Sequence, residues 1–153
     1  MRLALLQPCD GILILFDSDD DCPKHLAPRI EGWGKSEAGT VPCFVVMATR
    51  EYEAWFLAAI ESLRGKRGIR PDATSHSDAE SPRDAKGQLE TRMTPGFSYT
   101  PTIDQASLSS LFDLAAAYAR CRSFRRMVRA FALIIQGTGT TLANWPPASI
   151  TGQ

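Results

Sequence analysis

Four carboxylates crowd the five positions from Asp17 to Asp21, directly after the uncharged run Gly11-Ile12-Leu13-Ile14-Leu15-Phe16. Like charges at this density repel one another, and a divalent cation is the usual means of offsetting them. Asp17 and Asp19 lie two apart, so in extended backbone their side chains project the same way. Metal or phosphate chemistry is one reading of the run. The other is a solvated loop whose aspartates stop a strand and cap the next helix at Asp21. The apolar run itself predicts a strand buried on both faces, and open α/β sheets bind ligands beyond the carboxyl ends of such strands.

A second apolar stretch, Val41 to Ala48, predicts a second strand. The segment from Pro23 to about Ala38 is too long for a hairpin and carries Leu26 and Ile30 at helical spacing, which predicts a parallel pair joined by a right-handed helical crossover. Gly32 and Gly34 should keep that helix short. Tyr52, Trp55, Phe56, Ala59, Ile60 and Leu63 then form an apolar stripe at helical spacing, closed by Gly65. Trp55 and Phe56 read as core. Glu51 and Glu53 fall in the first turn, where they compensate the helix dipole. Alternatively, because parallel strands end on one edge, either glutamate could approach Asp17 and Asp19.

Residues 66–81, with a lone His76, read as a surface loop. A short helix is expected over Pro82–Met93 with Ser81 as its cap, then a turn-rich connector containing Tyr99, then a two-turn helix capped by Asp104. The last helix is expected from Leu114 to Ile135 as one element, its apolar face carrying Tyr118, Phe124, Val128 and Phe131. Arg120, Arg122, Arg125, Arg126 and Arg129 lie off that face, as a solvated surface or as phosphate contacts. From Gln136 to Gln153 no residue is charged, which divides the chain into a domain over 1–135 and a disordered or loosely docked tail over 136–153.

The 153 residues are 44% hydrophobic and 22% charged, as in one ordinary globular domain. Net charge is zero but unevenly spread: residues 1–62 carry ten acids against five bases, and the remainder seven acids against twelve bases. An acidic half joined to a basic half suits a metal site beside a polyanion surface, or two halves that attract each other. Cys9, Cys22, Cys43 and Cys121 lack the paired spacing of a zinc site, and Cys43 reads as a small core residue. Without a signal peptide or a long apolar span, the chain reads as cytoplasmic with reduced thiols.

Taken together, the segments GILILFDSDDDCP, VMATREYEAWFLAAIESLRGKRG, SPRDAKGQLETRM and YTPTIDQASLSSLFDL, with Ser123-Phe124, resemble a bacterial family known as domain of unknown function 4276, over about residues 9 to 135. EYEAWFLAA and TIDQ are the most specific of these. The family is regarded as Toprim-like. The resemblance implies an α/β domain, with a small, mainly parallel sheet flanked by helices and an Asp-x-Asp that holds magnesium. Asp17-Ser18-Asp19 matches that motif, Glu53 matches the acid before Ala-Trp-Phe-Leu, and Asp84, Lys86, Tyr99, Asp104 and Gln105 match family positions without assigned roles. The resemblance therefore implies a Mg²⁺ (or Mn²⁺) site at Asp17, Asp19 and Glu53. The implied activity is nuclease-type phosphodiester cleavage of DNA or RNA in phage defence, beside an ATPase partner. The alternative is a non-catalytic interaction module that binds an ATPase or another partner. Toprim-like chains deliver a further Glu from a strand and helix preceding the Asp-x-Asp strand. Here Arg2 to Leu6 resembles the end of that helix, so the domain is expected to be N-terminally truncated, with an uncovered sheet edge and impaired metal binding.

Overall fold

The structure, a computed structural model, describes residues 4–140. Its sheet has two parallel strands, β1 (Ile12–Asp17) and β2 (Cys43–Ala48), in register from Ile12 opposite Cys43 to Asp17 opposite Ala48. The expected strand–helix–strand unit is present, and the chain is an α/β domain. Both strands end level, so the segments leaving Asp17 and Ala48 emerge on one edge.

The crossing helix α1 (Pro23–Ala38) runs 16 residues, longer than its glycines predict. Gly34 is buried where α1 packs on β2, and that contact outweighs the low helix propensity. It begins after Cys22 rather than under an Asp21 cap, and stops at Gly39, whose φ of +63° suits glycine.

The stripe from Tyr52 to Leu63 does not form one amphipathic helix. α2 (Glu53–Ala58) is six residues long and breaks at Ala59, after which Ile60–Leu63 form a 3₁₀ turn. Every residue of α2 is buried. A helix enclosed on all sides has no solvated face to preserve, and around it pack α3 (Ala85–Glu90), α4 (Pro101–Ser109) and α5 (Leu114–Arg120). Trp55, Phe56, Phe112 and Phe124 meet edge-to-face at centroid separations of 5.0–5.7 Å and form the centre of this core.

The single C-terminal helix expected from Leu114 is two. Cys121, buried and extended (φ −113°, ψ 122°), separates α5 from α6 (Arg122–Gly137). Asp113 caps α5, while Glu80 reaches across from the loop to accept hydrogen bonds from the Arg122 and Ser123 amides. α3 is capped by Asp84 rather than Ser81, and α4 starts at Pro101 after Thr100 rather than at Asp104. Cys43 is a core residue as expected. Of the uncharged tail, residues 141–153 lie outside the described part, and α6 extends into its beginning as far as Gly137. Among the described residues no helix is long and apolar enough to cross a membrane.

Candidate carboxylate–lysine site

The two strand ends are stitched together residue by residue. Ser18 donates its amide to the Ala48 carbonyl, and its buried hydroxyl accepts from the Arg50 amide at 2.8 Å. The Asp19 amide donates to the Arg50 carbonyl. Asp19 and Arg50 both adopt left-handed backbone (φ 46° and 64°), a conformation non-glycine residues hold only when their surroundings fix it. Asp17, the last residue of β1, accepts from the Tyr52 amide at 2.8 Å through Oδ1.

This stitching brings three carboxylates around one ammonium. Lys86 Nζ donates to Glu51 Oε1 at 2.9 Å and lies 3.8 Å from both Asp17 Oδ2 and Glu53 Oε2. Lys86 is delivered by the first turn of α3, where its amide donates to Glu51 Oε2 at 2.9 Å and Asp84 caps the helix through the Gly87 amide.

Glu53 is the centre of the arrangement. Its side chain has no exposure at all. Oε1 accepts from the Tyr99 hydroxyl at 2.7 Å and from Gln105 Nε2 at 3.2 Å, while Oε2 is buried with no hydrogen-bond partner. A carboxylate oxygen buried without a donor costs several kcal/mol, roughly, unless a cation stands close by. Asp104 holds the start of α4 by accepting from the Thr100 amide and from Arg67, and so presents Gln105 to Glu53. The five motif residues without assigned roles thus form the support of this site.

Burial pushes the Asp17 carboxyl above its ordinary value, helped by the charges of Glu53 and Glu51 and opposed by the Tyr52 amide and Lys86. For Lys86, burial acts to lower the pKa, but the Glu51 hydrogen bond and the three negative charges outweigh it and raise the value. Tyr99 is pushed upward by burial and by its bond to Glu53, so its hydroxyl stays a donor.

Of the expected ligands, Asp17 and Glu53 come together at this point. Asp19 is exposed beyond the strand, and Lys86 approaches Asp17, Glu51 and Glu53 instead. Glu51, considered beside Glu53 from its place after β2, joins them. Among the described residues no three His, Cys, Asp or Glu side chains are spaced to hold one ion as they stand, and Lys86 lies between Asp17, Glu51 and Glu53. A groove of about 420 Å³ opens beside Asp17, walled by Leu15, Phe16, Tyr52, Gln105 and Ser109.

The class this defines is a small α/β domain with a part-buried carboxylate–lysine cluster at the carboxyl edge of a parallel sheet. The chain belongs to the family described as "Domain of unknown function (DUF4276)", which matches residues 1–132. No curated protein and no solved structure matched it.

Proposed function

We propose that the chain is a Toprim-like, nuclease-type domain that cleaves phosphodiesters with Mg²⁺ or Mn²⁺ held by Asp17, Glu53 and Glu51. The observation that carries this reading is Glu53, fully buried, with Oε2 lacking any hydrogen-bond donor and lying 3.8 Å from the Lys86 ammonium. The donor chemistry suits the ion, and the spacing would follow once Lys86 moves aside. All the donors are hard carboxylate oxygens, Lys86 is 39% exposed and has solvent to move into, and a groove beside Asp17 gives access. A bound ion would polarise a phosphate and lower the pKa of an attacking water. The chain's own contribution is positional: Tyr99 and Gln105 fix one oxygen of Glu53 and leave the other aimed at the cluster. Tyr52 fixes Asp17 in the same way. Asp19 stands exposed at the rim and is the natural position for an outer ligand.

Cleavage of supercoiled plasmid and single-stranded DNA in Mn²⁺ or Mg²⁺ is the test. Activity should require the ion and fall at least 100-fold, roughly, in Asp17→Asn with Glu53→Gln, in line with losing the groups that position charge. No cleavage, or cleavage undiminished in that variant, counts against the proposal. A second reading, a non-catalytic module that binds an ATPase or another partner, draws support from Lys86, which already supplies the cluster with a counterion without metal. Under it, Mn²⁺ leaves the melting temperature unchanged.

A further inference from the structure

Two clefts, of about 400 Å³ and about 350 Å³, share Pro23, Lys24 and Arg126 in their walls and form one groove between α1 and α6. At its upper end the groove is lined by Thr49, the first residue after β2, so it begins on the sheet edge that carries Asp17 and Glu53. Its rim is basic. Lys24, Arg122 and Arg126 are exposed, and their side chains make no ion pair among the described residues. The acids of the groove are already engaged: Glu80 is held by the amides of Arg122 and Ser123, and Glu31 pairs with Lys35. Its floor is apolar, with Phe44 half-buried and Pro28 and Leu133 exposed. Unpaired cations above an apolar and aromatic floor are the arrangement that takes a nucleic-acid strand with its bases unpaired, phosphates on the rim and bases on the floor.

We propose that this groove binds single-stranded nucleic acid, with phosphates on Lys24, Arg122 and Arg126 and bases against Phe44, Pro28 and Leu133. The inference rests on the phosphodiester reading for its direction, since it gives the substrate strand a path to the carboxylate site, but binding here needs no metal. A duplex fits it less well, because its bases are turned inward and only its phosphates remain to be met.

The test is fluorescence anisotropy of a labelled oligothymidylate of about a dozen nucleotides, titrated in EDTA at low and moderate salt. Affinity should fall with salt, with a slope of roughly 0.7 per phosphate contact. Arg126→Glu should weaken binding about tenfold and flatten that slope. Lys66→Glu makes the same charge change at an exposed lysine that lines neither cleft, and should leave affinity within about twofold. Circular dichroism confirms that both variants are folded. Equal losses in the two variants, no loss in either, absence of binding, or a duplex bound as tightly as the single strand would each overturn the proposal. Oligonucleotide binding in EDTA without any cleavage in Mn²⁺ would sink the catalytic reading and leave the groove standing.

Discussion

Two sets of three acids stand within a few residues of each other in space, and they have opposite fates. Asp19, Asp20 and Asp21 are exposed; Asp20, 70% exposed, pairs with Arg50 at 2.8 Å and with Arg83 at 3.2 Å. Asp17 is partly withdrawn from water, Glu51 more so and Glu53 completely, and the three share one lysine. The first set is conspicuous in the sequence and electrostatically cheap, because water screens it. The second is scattered over 37 positions and expensive, since each carboxylate has lost hydration that only fixed donors and a cation can replace. The proposed chemistry rests on the second.

Three substitutions test that contrast, in falling order of effect. Lys86→Met leaves Glu53 buried with no cation near Oε2. It should destabilise the metal-free protein by about 2 kcal/mol, less than the loss from a fully buried pair because Lys86 is partly exposed. Denaturant unfolding in EDTA measures this, and millimolar Mn²⁺ should restore more stability to the variant than it adds to the parent. If Mn²⁺ restores nothing, the lysine is a structural counterion and not a placeholder for metal.

Asp17→Asn should act in the opposite direction. A carboxyl whose folded pKa lies above its unfolded value of 3.8 favours folding only while protonated, and it opposes folding once pH passes the folded value. In EDTA the variant should therefore melt a few degrees higher than the parent at neutral pH, roughly, with the gap closing as pH falls below about 4. Asparagine keeps an oxygen for the Tyr52 amide, so the backbone need not rearrange. A gap of the same size at acid and neutral pH would show that the gain comes from somewhere other than charge. The smallest effect belongs to Asp20→Asn, which should change unfolding free energy by less than about 1 kcal/mol and lose what effect it has in high salt.

Both strands, their parallel pairing and the shared edge were legible in the sequence, because long uncharged runs separated by a helix-length crossover admit few other arrangements. That Glu53 could approach Asp17 at the shared strand edge was legible, and both lie beside Lys86, while Asp19 stands apart; the buried core role of Trp55 and Phe56 was legible too. The break at Cys121 was not: apolar spacing continues through it, and only the packing of Cys121 under α2 and the Glu80 cap on α6 cause the chain to turn. Nor was the short α2, since periodicity assumes a solvated face that an enclosed helix lacks. Lys86 could not be placed because nothing local ties it to Glu51, 35 residues earlier. A usable signal did exist at Glu53: a single charge followed by the unbroken apolar run Ala-Trp-Phe-Leu-Ala-Ala marks a carboxylate that folding must either exclude or satisfy.

The hydrogen bonds that hold the cluster all span long stretches of chain: Asp17 to Tyr52 across 35 residues, Glu51 to Lys86 across 35, Glu53 to Tyr99 across 46 and to Gln105 across 52. Glu51 and Glu53 come from one turn, but their partners do not. The three carboxylates are gathered around Lys86 only where strand, central helix and both supporting helices meet, so the cluster is a product of tertiary contacts and not of any one element. A chain in which these elements have not met therefore lacks the cluster. Whatever activity the cluster carries is confined to molecules that have completed the fold.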